Sequence, residues 1–245
     1  MERWVGKTAV VTGASSGIGA AIAKELARSG ITTVGLARRV ERIEALKAEL
    51  PPTAASRLHP FQCDVTREED ILRAFAFACD TFGGVDILIN NAGVSRDQTA
   101  LTPGNSKEIR EIFDTNVIAL IHCSREAFQS MKKRSVEGCI ININSVAGHH
   151  VFDLPRQSIY SPSKYAVTAL TESLRIELRK ENANVRVTSI SPGICKTEIL
   201  AGIPKADFMP ALMPEDIADA IRYVLGTPPR VQIHELTIRP TGEPF

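Results

Sequence analysis

The sequence contains few cysteines, almost no net charge and no long apolar segment. The five cysteines are odd in number and include no CxxC pair, which argues against a disulfide framework and a zinc site. With a net charge of +1, no global field attracts nucleic acid or a membrane surface. The apolar run that follows the charges of residues 1–7 is too short for a signal peptide or a membrane span. We therefore expect a cytoplasmic protein with no integral membrane segment and no nucleic-acid partner.

Short β-branched runs alternate with longer amphipathic stretches along the chain, as in βαβ units on a buried parallel sheet. Strands are predicted at about 8–12, 31–37, 58–63, 85–90, 139–144, 185–191 and 233–238. Helices are predicted at about 17–29, 40–49, 67–82, 106–134, 160–181 and 214–226. No linker or repeat interrupts the pattern. The sequence predicts one α/β domain over residues 1–245, a single-domain Rossmann fold with a doubly wound seven-stranded parallel sheet and helices on both faces.

A glycine-rich turn joins the first predicted strand to the first predicted helix. Gly13 would permit the tight turn, Gly17 would let the backbone approach a pyrophosphate, and Gly19 would let helix and strand pack closely. The helix N-terminus would offer unpaired N–H groups to the phosphates. Because the spacing is not GxGxxG, an ordinary strand-to-helix turn is the alternative. The candidate cofactor-binding residues in this turn are Gly13, Ser15, Ser16, Gly17, Ile18 and Gly19.

Two arginines follow the second predicted strand, at the place that distinguishes the two nicotinamide dinucleotides. An acidic side chain there would bind a ribose 2′-hydroxyl and repel a 2′-phosphate. The sequence instead has Arg38 and Arg39, whose guanidinium groups suit a phosphate dianion. The alternative is a solvated basic turn that Glu41 partly neutralises. We therefore expect NADP(H) as the cofactor, with Arg38 as the first phosphate ligand and Arg39 as the second.

Small or polar residues also follow the other predicted strands, where doubly wound sheets bind their ligands. Asp64 could accept a hydrogen bond from the adenine amino group while Val65 packs on the ring, although Asp after a strand is also a common helix N-cap. Asn90 and Asn91 could equally act as turn formers, and we expect them mainly to stabilise the cofactor side of the sheet. The candidates at these strand ends are Asp64, Val65, Asn91, Ala92, Gly93, Pro192 and Gly193.

The chemistry is predicted to depend on Tyr160 and Lys164, which lie four residues apart and so on one helix face. An ammonium near the phenol would favour its ionised form, and such a phenol can exchange a proton with an alcohol or carbonyl oxygen. Pro162 is tolerated in the first turn of a helix, which puts Tyr160 at the helix entrance. Ser145 ends an apolar strand, where its hydroxyl could hold the substrate oxygen. Each residue alone also has an ordinary structural explanation.

Asn116 stands inside a long apolar helical stretch, where an amide needs partners. It could hold a water that relays protons from Lys164 to solvent, or merely cross-link helix and sheet. His149 and His150 lie in the loop after Ser145, where either could contact the substrate.

Two long connections, residues 146–159 and 193–213, are predicted to be functional loops, the second of them the substrate loop. Their apolar side chains predict a lipophilic pocket, since basic groups there are limited to Arg156, Lys196 and Lys205. The pocket candidates are Val151, Phe152, Leu154, Ile199, Leu200, Ile203, Phe208, Met209, Leu212 and Met213.

Taken in order, these motifs resemble the short-chain dehydrogenase/reductase family over essentially the whole chain. The resemblance implies a catalytic tetrad of Asn116, Ser145, Tyr160 and Lys164, with Tyr160 as acid/base, Ser145 orienting the substrate and Asn116 supporting a proton relay. It implies that Lys164 binds the nicotinamide ribose, that Tyr160 also borders the cofactor, and that Ile194 and Thr197 contact its carboxamide end. Family members commonly form homodimers or homotetramers through the helices near 106–134 and 160–181.

Within the family, residues 1–4 and 124–132 are similar to the insect farnesol dehydrogenase group and the related vertebrate dehydrogenase/reductase member-eleven branch. That similarity implies NADP-dependent conversion of isoprenoid or other lipophilic alcohols, or reduction of ketosteroids or dicarbonyls. The sequence departs from the family at Pro162 and in the slightly long spacing between Ser145 and Tyr160. A non-catalytic NADP(H)-binding sensor and a sugar-nucleotide epimerase are the alternatives from other classes.

Overall fold

The computed structural model describes residues 1–97, 99–153, 156–200 and 209–243, except for the side chain of Leu200. Its seven strands form one parallel sheet in the order β3-β2-β1-β4-β5-β6-β7. The strands are β1 Thr8–Thr12, β2 Thr32–Ala37, β3 Leu58–Gln62, β4 Ile87–Asn90, β5 Gly138–Ile143, β6 Val185–Pro192 and β7 Glu235–Ile238. The predicted single-domain Rossmann fold is confirmed, and each strand lies within about two residues of its predicted position.

Eight α-helices are present in the described ranges, two more than the sequence predicted. They are α1 Gly17–Arg28, α2 Val40–Leu46, α3 Pro52–Ala55, α4 Glu68–Phe82, α5 Ser106–Phe113, α6 Ala119–Arg134, α7 Gln157–Lys180 and α8 Pro214–Gly226. The additional four-residue α3 has Pro at its first position, where the missing N–H costs nothing. The other addition arises because a π turn at Asp114–Ile118 divides the helix predicted at 106–134 into α5 and α6.

Both faces of the sheet are covered by helices, which explains why the central strands are mainly apolar on both faces. Ala9 and Val11 of β1 belong to the hydrophobic cluster that includes α1 and α8. Val10 between them belongs to the cluster on the opposite face, with α4, α6 and α7. All three side chains are fully buried, and burial of a valine contributes about 1.5–3 kcal/mol relative to exposure. This rigid sheet fixes the positions of the residues at its strand ends.

Helix α7 begins at Gln157, one turn earlier than the predicted position 160. Pro162 therefore lies in the second turn, and the prediction that it occupies the first turn is wrong. Proline has no N–H for the carbonyl of Ser158, four residues earlier, and Ser158 is an exposed residue on the solvent side of the helix start. Tyr160 is still the fourth residue of the helix, so it does lie at the entrance.

The strand order reverses direction at β1, which has β2 on one side and β4 on the other. In such sheets the connections from neighbouring strands leave toward opposite faces and open a crevice beyond the carboxyl ends. No helix among the described residues is long and apolar enough to cross a membrane.

Candidate active site

A cleft of about 990 Å³ lies at the carboxyl ends of the strands and contains most of the predicted site. Its volume is near the upper end of the range for ligand pockets, roughly 300–1,000 Å³. Every predicted cofactor-binding residue lines it, as do three of the four predicted catalytic residues; Asn116 lies behind the wall. The lining residues from the prediction are Gly13, Ser15, Ser16, Gly17, Ile18, Gly19, Arg38, Arg39, Asp64, Val65, Asn91, Ala92, Gly93, Ser145, Tyr160, Lys164, Pro192, Gly193, Ile194 and Thr197.

The glycine turn is shaped as an anion site. Gly13 and Gly17 have φ angles of +67° and +53°, in the left-handed region that favours glycine. A Cβ on Gly19 would lie 2.2 Å from the carbonyl oxygen of Gly13, so a larger residue would push α1 away from the turn. Helix α1 has no side-chain cap, and among the described residues its first backbone hydrogen bond joins the amide of Ala20 to the carbonyl of Ser16. The earlier amides are thus left for a phosphate group, with the positive end of the helix dipole behind them.

Thr12 and Asn91 hold this turn against the end of β4. The Asn91 side-chain amide donates to the carbonyls of Thr12 (2.9 Å) and Gly13 (3.2 Å). In return the Thr12 hydroxyl accepts hydrogen bonds from the amides of Asn91 (3.0 Å) and Ala92 (2.9 Å). Asn90 donates to Ser124 and to Asn142 of β5. Both asparagines therefore support the architecture of the cleft, in agreement with the interpretation from the sequence.

Asp64 forms a local turn at the end of the cleft nearest β3. Its Oδ1 accepts from the amide (3.0 Å) and the hydroxyl (2.7 Å) of Thr66, which is an Asx turn ahead of α4. The N-cap position of α4 is Arg67, so the N-cap alternative for Asp64 is wrong in detail. Asp64 and Val65 both face the cleft, where an adenine contact stays a prediction.

The basic turn after β2 is neutralised by a carboxylate from the segment after β6. Glu198, at the start of a short 3-10 turn, accepts hydrogen bonds from Arg39 Nη2 (2.9 Å) and Arg42 Nη1 (2.6 Å). These two guanidinium groups hold the pKa of the Glu198 carboxyl below its usual range. Glu41, the neutralising group considered from the sequence, forms no ion pair within the described ranges. Residue 198 carries no local sequence signal for this contact because it lies 159 positions from Arg39.

Tyr160, Ser145 and Lys164 meet at the other end of the cleft, where α7 approaches the end of β5. The Lys164 ammonium lies 5.7 Å from the centroid of the Tyr160 ring and donates to the carbonyl of Ile143 (2.9 Å). Ser145 Oγ accepts a hydrogen bond from the amide of Ala147 (3.1 Å) and forms a second hydrogen bond with Tyr160. These two bonds fix the Ser145 hydroxyl beside the phenol of Tyr160.

Burial controls the acidity of both groups on α7. It raises the pKa of Tyr160 to about 12, and the hydrogen bond with Ser145 offsets only part of this effect. It also lowers the pKa of Lys164 to about 8. The expected lowering of the phenol pKa by Lys164 is not present in the protein alone, because loss of hydration opposes the charged form of each group. At neutral pH Tyr160 holds its proton.

Asn116 connects the loop after β4 to α7 from within the π turn. Its Oδ1 accepts from the amide of Val94 (2.8 Å), and its Nδ2 donates to the carbonyl of Val94 (3.0 Å) and to Ser163 Oγ (3.0 Å). Ser163 in turn donates to the carbonyl of Tyr160 (2.7 Å). The amide thus acts as the structural cross-link that the sequence left open, with one oxygen lone pair remaining for a water. Ser163 gave no sequence signal, since serine is common near helix starts.

The segment after β6 is held by Glu243, near the end of the chain. Glu243 Oε1 accepts from the amide of Ile194 (3.0 Å), Oε2 pairs with Arg239, and the side chain is 1% exposed. A Cβ on Gly193 would lie 2.6 Å from Glu243 Oε1, so a larger residue would displace the Glu243 carboxylate from the Ile194 amide. Thr197 donates to the carbonyl of Cys195 (3.3 Å). The predicted carboxamide contacts, Ile194 and Thr197, therefore line the cleft while bonded within the protein.

Only part of the predicted lipophilic pocket lines the cleft. Phe152 and Ile199 line the cleft, whereas Val151 and Met213 are 70% and 48% exposed. Backbone hydrogen bonds from Leu212 to Ile194 and from Lys196 to Leu212 close the base of the 193–213 loop. Leu154, Ile203, Lys205, Phe208 and the side chain of Leu200 lie outside the described residues. Met209 and Leu212 are described but do not line the cleft.

Neither His149 nor His150 lines the cleft, and His149 bonds to the Ser191 hydroxyl (3.0 Å). Across the described ranges, no group of His, Cys, Asp or Glu side chains is arranged to hold a metal ion.

The fold and the site together define an oxidoreductase built on a dinucleotide-binding sheet. A family model described as short chain dehydrogenase matches residues 7–207. The chain belongs to the short-chain dehydrogenase/reductase family, and the recognition made from its motifs is confirmed.

Two curated relatives and one solved structure illustrate the similarity. The farnesol dehydrogenase of Aedes aegypti is 58% identical over 245 residues, which is 100% of both chains. The Homo sapiens dehydrogenase/reductase SDR family member 11 is 47% identical, over 99% of this chain and 97% of that protein. An alcohol dehydrogenase from Thermococcus sibiricus, complexed with 5-hydroxy-NADP, superposes with a TM-score of 0.83 at 29% identity and covers 95% of each chain.

Proposed function

We propose that this protein transfers hydride between NADP(H) and a lipophilic alcohol or carbonyl compound, with farnesol or a related isoprenoid alcohol as the first candidate substrate. The observation that carries the proposal is the meeting of Tyr160, Ser145 and Lys164 in the same cleft as the uncapped start of α1 and the two arginines after β2. One end of the cleft offers proton transfer and the other offers phosphate binding.

The residues present fit a nicotinamide dinucleotide. The open amides at Gly17, Ile18 and Gly19 suit its pyrophosphate, and the guanidinium groups of Arg38 and Arg39 suit a 2′-phosphate. The segment Pro192–Thr197 would border the nicotinamide, and Asp64 and Val65 the adenine. When bound, the cofactor supplies or accepts the hydride.

Tyr160 is the proposed proton donor and acceptor. With its pKa raised to about 12, the phenol is protonated at neutral pH and can give a proton to a carbonyl oxygen as that oxygen gains charge. The Ser145 hydroxyl, whose oxygen is fixed by the Ala147 amide, would donate a hydrogen bond to the same oxygen. In the oxidative direction Tyr160 must first lose its proton, so high pH favours alcohol oxidation.

Lys164 and Asn116 are proposed to position and connect Tyr160. Lys164 is buried, with its ammonium beside the ring and a pKa near 8 that allows it to gain and lose a proton in the working range. Asn116 fixes the first turn of α7 through Ser163, which donates to the carbonyl of Tyr160. A proton relay through these groups is part of the proposal.

The lipophilic substrate is supported by two observations. Phe152 and Ile199 supply apolar surface on the cleft wall near the proposed substrate loop, residues 193–213. The Aedes aegypti relative, 58% identical over its full length, is named a farnesol dehydrogenase. Arg156 also lines the cleft, so a polar group at one end of the substrate is compatible with the site.

We also propose a homodimer or homotetramer formed through α5–α6 and α7, in the cytoplasm. The support is a set of exposed apolar side chains on this helical region, with Ile118 at 42%, Ile121 at 38%, Tyr165 at 42% and Ile176 at 45%. Exposed apolar residues grouped on neighbouring helices are typical of protein contacts.

A substrate panel with both cofactors tests the function. We expect NADP⁺ with farnesol, geraniol and other hydrophobic alcohols to be turned over, and the matching aldehydes to be reduced with NADPH. Sugars and amino acids serve as polar controls. Turnover of the polar compounds alone would contradict the substrate class, and a higher kcat/KM with NAD⁺ than with NADP⁺ would contradict the cofactor.

A further inference from the structure

Glu198 joins two parts of the cleft that are distant in sequence. Its carboxylate bridges Arg39 and Arg42, at 2.9 and 2.6 Å, and so ties the segment after β6 to the start of α2. Glu198 and Arg39 both line the cleft. The three side chains are between 43% and 55% exposed, which leaves the bridge accessible to solvent and to a ligand.

The carboxylate occupies part of the guanidinium that a cofactor phosphate would use. Arg39 Nη2 donates a hydrogen bond to Glu198 Oε2, and the N–H that makes this bond cannot also donate to a phosphate. A phosphate dianion beside Arg39 would also lie close to the Glu198 charge, and like charges repel. Because exposed ion pairs contribute little, the dianion can displace the carboxylate at small cost.

We infer that Glu198 is a specificity-determining residue that competes with the 2′-phosphate of NADP(H) for Arg39. This inference rests on the proposed choice of NADP(H). A cofactor that carries a 2′-hydroxyl leaves the Glu198 bridge intact, whereas a 2′-phosphate competes with Glu198 for the same face of Arg39 and is repelled by its charge. Glu198 therefore lowers the affinity for NADP(H) and leaves that for NAD(H) unchanged. The ratio of the two affinities is smaller than it would be without Glu198.

The chain offers a matched control for the charge change. Glu41 lies in the first turn of α2, between Arg39 and Arg42 in sequence, and is exposed. No ion pair of Glu41 is present within the described residues. Glu41→Gln removes the same charge from the same neighbourhood without freeing Arg39.

Titration calorimetry with 2′-AMP and 5′-AMP tests the inference in the wild type, Glu198→Gln and Glu41→Gln. We expect Glu198→Gln to bind 2′-AMP about three- to tenfold more tightly, as loss of one or two exposed ion pairs implies. Binding of 5′-AMP should stay unchanged, and Glu41→Gln should show a clearly smaller effect. Equal effects of the two variants, or weaker binding of 2′-AMP by Glu198→Gln, would overturn the inference.

A second background separates competition for Arg39 from general charge effects. In Arg39→Met, the gain from Glu198→Gln should fall to no more than the effect of Glu41→Gln, which measures general charge repulsion. A gain of undiminished size there would contradict competition for this side chain. Failure of the underlying cofactor proposal has a different signature, since wild-type protein would then bind 5′-AMP at least as tightly as 2′-AMP. A wild type that prefers 2′-AMP while Glu198→Gln has no effect would refute the role of Glu198 alone.

Discussion

Lys164 is predicted to reduce the stability of the protein at neutral pH, because its position in the site buries the ammonium group. Burial lowers its pKa from 10.5 to about 8, so the folded protein disfavours the charged ammonium. The interval between those values corresponds to roughly 3 kcal/mol of unfolding free energy below pH 8. Between pH 8 and 10.5 the unfolded chain binds more protons at this site than the folded one, so this penalty is relieved as the pH rises.

Lys164→Met removes this penalty but leaves the carbonyl of Ile143 without the hydrogen bond that Lys164 donates. An unpaired buried carbonyl costs about 1–3 kcal/mol. We therefore expect the variant to gain up to about 2 kcal/mol of stability over the wild type at pH 7. Near pH 10.5, where the penalty is relieved and only the lost hydrogen bond remains, we expect it to be less stable than the wild type by about 1–3 kcal/mol.

The assay is urea unfolding of both proteins without cofactor, at several pH values from 6.5 to 10.5. The difference between the two curves cancels the titration of groups they share, including the buried cysteines. Lys133→Met, which changes an exposed lysine on α6, is the control and should give a flat difference. A flat difference for Lys164→Met as well would refute the reasoning, because the penalty would then not depend on the charge.

Two further substitutions test the walls of the cleft. Asn116→Ala leaves both backbone groups of Val94 without their side-chain partner, and we expect it to lower the unfolding free energy by about 2 kcal/mol, measured in urea. The exposed Asn184→Ala should change it little, and equal effects would contradict the cross-link. Gly193→Ala puts a Cβ 2.6 Å from Glu243 Oε1, so we expect weaker binding of NADPH by fluorescence titration. Gly226→Ala, where the added Cβ meets no atom nearer than 3.8 Å, is its control. Unchanged affinity for NADPH in Gly193→Ala would contradict the expectation, since Glu243 would then move aside without effect on the site.

The sequence predicted the fold well because its signals are local. The middle of β1 is apolar on both faces, since Ala9 and Val11 belong to one cluster and Val10 to the other, and this pattern is typical of a parallel sheet. The boundaries that differed depend on distant contacts. The π turn around Asn116 accompanies bonds to Val94 and Ser163, and neither partner is close to it in sequence.

The candidate site was predicted to a similar extent and for the same reason. Residues that follow strands must lie at one edge of the sheet, and those predicted from this rule all line the cleft. Glu198 and Glu243 could not be found this way, since they contact Arg39 and Ile194 across 159 and 49 positions. The pKa of Tyr160 was also beyond the sequence, because it depends on burial that only the packed structure defines.

Tyr160→Phe tests the central claim, that the phenol of Tyr160 exchanges a proton with the substrate oxygen. The variant keeps the ring and loses only the hydroxyl that bonds to Ser145. The measurement is kcat for the reduction of a lipophilic aldehyde by NADPH, together with the Kd for NADPH of the same preparation. We predict a loss of at least about a hundredfold in kcat, the usual scale of general acid catalysis, with a Kd within about twofold of the wild type. Full turnover by the variant would contradict the account.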